Sequence, residues 1–375
     1  MKQGWEIKKL GEVCDIINGR NQKSVECTDG DYPIYGSGGI MGYASHFLCN
    51  AGTTIIGRKG TINKPIYVEE PFWNVDTAFG LQPKNTLNSK LLHYFCLYFD
   101  FLKLNKGTTI PSLVKADLLQ IDIPVPSLAE QKRIVEILDR EFERIDALKA
   151  NAEQNLQHAK DLFQAALKQE LQPQEGWETK TIGEIAELKG GKRVPKGYKL
   201  EIEPTGYPYI RVADFNDNGT VDLDDIHYIS EKVYEGIKRY TITTNDVYIS
   251  IAGTIGKSGI IPEDLNGANL TENACRLVFK EEVDKKYIYY CTISSDFKEQ
   301  IAKLTMQAAQ PKLALTRLAT ATLNLPSVGT QREIVALIDN LNERRKALEE
   351  NYKKTIALCD DMKQALLRKA FNGEL

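Results

Sequence analysis

The chain has 375 residues, a formal net charge of −3 at pH 7, 42% hydrophobic residues and 26% charged residues. This length predicts two or three domains that each bury a core, and no run approaches the roughly 18 apolar residues that a membrane span needs. The N-terminal segment lacks the apolar stretch of a signal peptide, so we expect a cytoplasmic protein. The seven cysteines and four histidines are scattered without a CxxC pair, which argues against a zinc site. The small net charge leaves nucleic-acid binding open, because a sum over the chain can hide a basic patch.

An internal repeat of domain size is the most informative pattern in the sequence. GWEIKKLGEVCDI at residues 4–16 returns as GWETKTIGEIAEL at residues 176–188. PSLAEQKRIVEILD, from Pro126, returns as PSVGTQREIVALID, from Pro326. A repeat this long predicts two copies of one module, because solenoids repeat at much shorter periods. The second copy is longer mainly before Gly253, in a polar segment rich in turn residues.

In chain order, each copy begins with a mixed α/β domain and ends with a long helix. Residues 1–125 and 173–325 contain short runs of Tyr, Ile, Val and Thr between glycine-containing turns, which is typical of short strands. Residues 126–172 and 326–375 hold glycine and proline only near their ends, which predicts one helix each. We expect an α+β fold in which two globular domains are separated by an antiparallel two-helix coiled coil, with internal pseudo-twofold symmetry.

The two predicted helices carry a broad apolar face. With Leu138 at position a of a heptad, apolar side chains also fall at position d: Leu148 and Leu162 in the first helix, and Leu341, Leu348 and Met362 in the second. Arg345 interrupts the apolar pattern of the second helix. A face of this length needs a partner of the same length, and the other helix of the same chain is the nearest one.

The near-matches to catalytic motifs are incomplete. GTIGKSG at residues 253–259 ends like a phosphate-binding P-loop, but Ile251 stands where that motif requires its first glycine. GSGG at residues 36–39 could begin a dinucleotide-binding loop, but Met41 stands where the third glycine is required. No NPPY-like string for methyl transfer to a base amine is present. We therefore predict no catalytic residue, bound metal or bound cofactor in this chain.

Loops that combine glycine with basic, amide or hydroxyl side chains remain as candidate DNA contacts. Glycine lets backbone approach a phosphate, arginine reads guanine edges, and asparagine or glutamine reads adenine. Any single loop of this kind is as often a solvent-facing turn. The candidates in the first copy are Arg20, Asn21, Lys23, Ser37, Arg58, Lys59, Thr61, Lys64, Lys106, Thr108 and Thr109. The candidates in the second copy are Lys192, Arg193, Arg211, Thr254, Lys257, Gln307, Gln310 and Lys312.

Several strings together resemble the DNA-specificity (S) subunits of type I restriction-modification systems. GWE followed by LGE opens each domain, and the first domain contains YPIYGSGG and PFWNVDTAF. The second domain contains YPYIRVAD, ISIAGTIGK, LTENACRLVF and AQPKL, and the related strings PSLAEQKRIVEILD and PSVGTQREIVALID open the two helices. The resemblance covers essentially the whole chain in the family's own segment order.

The resemblance implies a binding protein without chemistry of its own. It implies two target-recognition domains, each reading one half of a split, asymmetric site on double-stranded DNA, with the coiled coil fixing the spacer. Two modification (methyltransferase) subunits would dock on the helix pair, and restriction subunits would join through them, with no membrane involved. S-adenosylmethionine, ATP and Mg²⁺ would be bound by those partner subunits.

Two other functions stay open at the level of sequence. A stand-alone bivalent DNA-binding protein or regulator would have the same two domains and no modification partner. A P-loop-like or nuclease-type enzyme acting alone would hydrolyse ATP or cut DNA without partners.

Overall fold

The computed structural model describes residues 4–305 and 311–375. The chain divides into two compact units, one formed by residues up to Gln154 together with Tyr352–Leu375, the other by Asn155–Asn351. Each unit therefore contains one β-rich region and one part of each long helix. Among the described residues, no helix is both long and apolar enough to cross a bilayer.

The first unit contains three small sheets and several short helices. Its strands are β1 (Glu6–Lys9), β2 (Cys14–Asn18), β3 (Tyr32–Gly36), β4 (Gly39–Ala44), β5 (Thr53–Gly57), β6 (Ile66–Val68), β7 (Trp73–Asn74), β8 (Ala78–Pro83) and β9 (Asp122–Val125). Its helices are α1 (Leu10–Val13), α2 (Ser89–Tyr98), α3 (Lys115–Leu119) and the first part of α4 (Leu128–Glu170), with a 3-10 helix at Phe101–Leu104. The sheet orders are β1-β9, β2-β8-β5-β6 and β4-β3-β7.

The second unit repeats this topology. Its strands are β10 (Glu178–Thr181), β11 (Ala186–Gly190), β12 (Pro208–Ile210), β13 (His227–Tyr228), β14 (Val247–Ser250), β15 (Ser258–Gly259), β16 (Asn269–Leu270), β17 (Ala274–Phe279) and β18 (Thr322–Leu325). Its helices are α5 (Ile182–Ile185), α6 (Glu231–Ile237), α7 (Lys285–Ile293), α8 (Ser295–Leu304), α9 (Leu315–Leu318) and the first part of α10 (Val328–Asn372), with 3-10 helices at Val212–Asp214 and Glu263–Leu265. The sheet orders β10-β18, β11-β17-β14-β15 and β13-β12-β16 match those of the first unit strand for strand.

The central strands of both units are buried on both faces. Every residue of β5, with the sequence TTIIG, and of β14, with the sequence VYIS, is buried. β-branched and aromatic side chains favour this environment because they pack well on a pleated surface. The register is also equivalent in the two copies, since Thr54 lies opposite Leu81 and Val247 lies opposite Leu277.

A buried glutamine joins the start of each long helix to its own domain. The Gln131 side chain accepts a hydrogen bond from the Asn88 N–H at 2.7 Å and donates to the Pro126 carbonyl at 2.9 Å. In the second copy, Gln331 accepts from the Asp284 N–H at 2.8 Å and donates to its own preceding turn. Asn88 and Asp284 are the N-caps of α2 and α7, so each glutamine ties a long helix to the capped end of a domain helix.

The long helices pair in antiparallel order within both units, which confirms the predicted helix pair. In the first unit, Lys149 binds Asp360 at 2.8 Å and Lys363 binds Asp146. The residue numbers of these contacts rise along α4 as they fall along α10, as an antiparallel pair requires. In the second unit, the guanidinium of Arg345 lies over the ring of Phe163, 5.0 Å from its centroid.

The predicted heptad register is wrong at four of its five apolar d positions, whereas the fifth, Leu341, packs against the core of the second unit. Leu148, Leu162, Leu348 and Met362 are all exposed, Leu162 to 71%. The a positions such as Leu138, Ala152 and Cys359 are buried as expected. At the e position, Phe142 and Phe163 pack against the domain cores. The d residues Leu148 and Met362 line the open edge of the helix pair in the first unit.

Candidate nucleic-acid interface

In the first unit, backbone hydrogen bonds bring together loops that are far apart in sequence. The Gly19 N–H donates to the Ala78 carbonyl at 3.1 Å, and the Arg20 N–H donates to the Asn74 carbonyl at 3.0 Å. The indole Nε1 of Trp73 donates a hydrogen bond to the Arg20 carbonyl at 3.1 Å. The loop after β2 is therefore held along the segment that connects β7 to β8.

The loop after β5 is attached to the same segment and to a third loop. The N–H groups of Arg58 and Lys59 donate to the Thr77 carbonyl at 2.8 and 3.3 Å. The Gly60 N–H donates to the Pro111 carbonyl at 2.8 Å, so the loop at residues 106–112 lies alongside. The β3–β4 hairpin that carries Ser37 joins this end of the unit. We call residues 19–23, 36–39, 58–61, 74–78 and 106–112 loop cluster 1.

The hairpin connection and one glycine show how closely these loops approach each other. The Val75 N–H donates to the Tyr35 carbonyl at 3.0 Å, which fixes the hairpin beside the β7–β8 segment. A Cβ atom on Gly19 would lie 1.8 Å from the Val75 carbonyl oxygen, so a side chain cannot be accommodated there. The position of the loop after β2 depends on that glycine.

Loop cluster 1 presents an excess of exposed basic side chains. Arg20, Lys23, Arg58 and Lys59 are exposed, and so are the polar residues Asn21, Thr61, Thr108 and Thr109. The Arg58 guanidinium is positioned by the Asp76 carbonyl at 3.4 Å and lies 5.8 Å from the Phe79 ring centroid. Lys64 is exposed just beyond the loop, and Lys106 forms an ion pair with Asp117 at 3.4 Å. Exposed ion pairs of this kind are weak, so the Lys106 ammonium can exchange partners.

The second unit repeats the hydrogen-bond network at the aligned positions. The Gly191 N–H donates to the Ala274 carbonyl at 3.0 Å, and the Lys192 N–H donates to the Leu270 carbonyl at 2.8 Å. The N–H groups of Ile251 and Ala252 donate to the Asn273 carbonyl at 2.7 and 3.2 Å, as Arg58 and Lys59 do to Thr77. Residues 191–193, 252–257, 270–273 and 312 form loop cluster 2.

The side chains of loop cluster 2 differ from those of loop cluster 1. Lys192 is exposed, with its ammonium 5.6 Å from the Tyr240 ring centroid. Arg193 donates to Glu272 at 2.5 Å. Burial acts against ionisation of Glu272, but hydrogen bonds from Arg193, from its own backbone and from Thr271 hold its pKa below the usual range. Thr254 is exposed in the loop after β14, and Lys312 is exposed beside Ala252.

Two other predicted contacts form ion pairs with carboxylates of their own unit. Arg211 donates from Nε to Asp214 at 3.0 Å and from Nη2 to Asp225 at 3.0 Å. The Asp214 side chain is buried, so we assign Arg211 a structural role. Lys257 forms an ion pair with Asp217 at 3.0 Å, and Asp217 is fully exposed. Gln307 and Gln310 lie outside the described residues, and no group of three or more metal-binding side chains occurs within residues 4–305 and 311–375.

The residues that sequence reasoning missed are those of the β7–β8 and β16–β17 segments. Asn74 is fully buried, accepts a bond from Cys49 Sγ at 3.2 Å and donates to the Ala78 carbonyl at 3.3 Å. Asp76 and Glu272 stand at aligned positions, and each contacts an arginine of its loop cluster. The polar run NVDT between two hydrophobic stretches was the available signal.

Comparison with known proteins identifies the family. A family model described as the type I restriction modification DNA specificity domain matches residues 2–158 and 174–358. The chain belongs to this family. As a specificity subunit, it is the DNA-binding, non-catalytic component of a type I restriction-modification complex.

Individual relatives agree with this assignment. This chain is 28% identical to the EcoBI specificity subunit of Escherichia coli, over 86% of this chain and 73% of that protein. It is 24% identical to the MjaVIII specificity subunit of Methanocaldococcus jannaschii, over 94% of this chain and 90% of that protein.

Two solved structures share the fold of the type I specificity subunit. A chain from work on complex assembly and conformational transition of the type I R-M system superposes with a TM-score of 0.81 at 19% identity, covering 100% of this chain and 99% of that one. The HsdS subunit from Thermoanaerobacter tengcongensis has a TM-score of 0.57 at 20% identity, covering 100% and 98%.

Proposed function

We propose that each unit of this specificity subunit reads one half of a bipartite DNA site through its own loop cluster. The observation that carries this proposal is the repeated hydrogen-bond network, which holds loops in equivalent places and gives them different side chains. Equivalent placement supports equivalent docking on DNA. Different side chains predict that the two half-sites differ in sequence, so that the full site is asymmetric.

Within each loop cluster, basic side chains position the unit and polar side chains read bases. Arg20, Lys59 and Lys192 are exposed and flexible enough to neutralise phosphates, which supplies affinity that does not depend on sequence. Asn21 and Arg58 carry the amide and guanidinium groups that pair with adenine and guanine edges in the major groove. Arg58 is restrained by its contacts with Asp76 and Phe79, and a restrained donor discriminates better between bases.

The long helices fix the unread spacer and offer docking surfaces for modification subunits. At 1.5 Å per residue, the 43 residues of α4 make a rod of about 65 Å, which exceeds one DNA helical turn. In the first unit, Ile145, Leu148, Met362 and Leu366 line an open groove between the helices, and charged residues, including Arg144, rim it. An apolar groove with a charged rim is typical of a surface that binds another protein. We place S-adenosylmethionine, ATP and Mg²⁺ on the partner subunits.

Exchange of one domain tests the reading of half-sites. Replacing residues 173–325 with the corresponding domain of another family member, in a host that supplies the modification partner, should change one half of the methylated site and leave the other intact. Methylome sequencing reads out both halves. A change in both halves, or in neither, contradicts the proposal.

A single charge in the groove tests docking. Leu148→Asp should prevent stable co-purification with the modification subunit, because a carboxylate would be buried in an apolar contact. Leu223→Asp is the matched control, since Leu223 is 47% exposed and Leu148 is 46% exposed. Equal co-purification of the two variants contradicts docking at this groove.

A further inference from the structure

Loop cluster 1 contains one large apolar side chain that is displayed to solvent among basic residues. Ile110 is 60% exposed, and it stands in the loop that carries Lys106, Thr108 and Thr109. The neighbouring residue Pro111 accepts a hydrogen bond from Gly60, directly after Lys59. Ile110 therefore contributes little to folding, and covering its side chain with an apolar group of a bound molecule would add to affinity.

The loop that carries Ile110 is held in one shape by hydrogen bonds to the Asn105 side chain. Asn105 Oδ1 accepts from the N–H groups of Gly107 and Ser112, both at 2.8 Å, and its Nδ2 donates to the Gly107 carbonyl at 3.0 Å. The Lys106 N–H donates to the Ser112 carbonyl at 3.0 Å and closes the base of the loop. A Cβ atom on Gly107 would lie 1.9 Å from the Ile110 carbonyl oxygen, so the turn is tight. The hydrogen bonds fix the direction of the loop before any ligand binds, which lowers the entropy cost of binding.

The positive charge around the loop favours a ligand that carries phosphates. Lys59 is bridged to Ser112 across the base of the loop, and both Lys59 and Lys106 are exposed. These ammonium groups complement phosphates on either side of a groove. The exposed Ile40 differs in this respect, because it lies on β4 two residues before Gly42, whose position faces the Glu26 carboxylate. Negative charge there disfavours the DNA backbone.

We propose that Ile110 contacts the C5-methyl group of a thymine in the half-site read by the first unit. The thymine methyl is the apolar group that a base pair presents in the major groove, and a β-branched side chain on a fixed loop can cover it. This inference rests on the proposed function and adds a base-reading residue to it. By the alignment of Pro111 with Pro311, the second copy has Gln310 at this position, a residue that reads base edges by hydrogen bonds.

Removal of single methyl groups from DNA tests the proposal. The full chain in complex with its modification partner is titrated with duplexes of its own site, defined beforehand by methylome sequencing. Each thymine of the half-site is replaced in turn by deoxyuridine, which differs from thymine only in lacking the methyl group. One replacement should weaken binding by wild-type protein about fourfold, as the loss of one buried methyl predicts. Ile110→Ala should bind thymine and deoxyuridine duplexes equally at that position.

Ile7→Ala is the matched control, because Ile7 is 46% exposed in the same unit and lies on β1, paired with β9. It should keep the fourfold preference for thymine. Equal sensitivity of wild type and Ile110→Ala to deoxyuridine overturns the proposal, and so does a half-site without an A·T pair. If Ile110→Ala bends DNA less than wild type and binding does not depend on any thymine methyl, Ile110 inserts between base pairs instead. That result also overturns the proposal. Absence of sequence-specific binding by the wild-type complex would instead contradict the proposed function.

Discussion

The loop after β5 and the loop after β14 occupy the same place in two equivalent networks, yet they carry different chemistry. The first has exposed Arg58 and Lys59, and the second has buried Ile251 and the small Ala252. Both pairs donate through their backbone N–H groups to one carbonyl, which belongs to Thr77 or Asn273. Backbone bonds do not depend on the side chain. The scaffold is therefore preserved while the side chains of the proposed DNA-contacting surface are free to differ.

The helix pair also keeps its geometry while the side chains at aligned positions differ. Ile145 is buried in the first unit, whereas Arg345 takes its place in the second. Arg345 donates to Asn342 at 2.7 Å, forms an ion pair with Glu349 and lies over Phe163. The charged side chain is satisfied by these partners, so the pairing of the helices tolerates it. The copies share their backbone geometry and the buried hydrogen bonds that join each long helix to its domain. Mutation of these shared features should destabilise the two units equally.

The largest shared effect should come from the glycines that allow the closest approach. Gly19→Ala and Gly191→Ala should each lower the free energy of unfolding of the unit by about 3 kcal/mol, because the new Cβ atoms would overlap carbonyl oxygens of Val75 and Thr271. Chemical denaturation with circular dichroism measures the change. Gly38→Ala is the control, since a Cβ atom there meets nothing within 4 Å. A large loss in only one copy would show that the networks are not equivalent.

A smaller shared effect should come from the buried glutamines. Gln131→Met and Gln331→Met should each destabilise by about 2 kcal/mol, because the N–H groups of Asn88 and Asp284 lose their acceptors inside the protein. Gln154→Met, at an exposed position of α4, should leave the melting temperature unchanged. Thermal unfolding of the three variants provides the comparison, and an unaffected Gln331→Met would break the equivalence.

The smallest effect should be confined to one copy. Replacing Arg20 and Lys59 together with alanine should reduce the slope of log affinity against log salt by about 1.8, because both are proposed to contact phosphates, and should leave folding intact. Binding titrations at several salt concentrations measure the slope. Replacing Lys8 and Lys9 on β1 with alanine removes the same charge from another surface of the unit and should not change the slope. An unchanged slope for the variant without Arg20 and Lys59 would exclude phosphate contact by these two residues.

The sequence predicted the repeated modules, the long helices and the basic loops, because these leave local patterns of composition and period. It could not predict that the loops at Arg20, Arg58 and Lys106 meet, since backbone hydrogen bonds between distant segments leave no such pattern. For the same reason, the sequence could not predict the buried hydrogen bonds of Asn74. The prediction failed at four d positions because the heptad period does not show which apolar side chains the domain cores cover: Phe142 and Phe163 at position e pack on those cores, whereas Leu148 and Met362 line an open edge.

The most direct test of two independent readers uses the aligned residues Asn21 and Arg193, which are exposed and carry base-reading amide and guanidinium groups. The complex is titrated with its full DNA site and with duplexes in which one half-site or the other is scrambled. Asn21→Ala should weaken discrimination against the scrambled half that the first unit reads and leave the other half unaffected, and Arg193→Ala should show the reverse. If both variants lose discrimination at the same half-site, the two loop clusters do not read separate halves and the account is wrong.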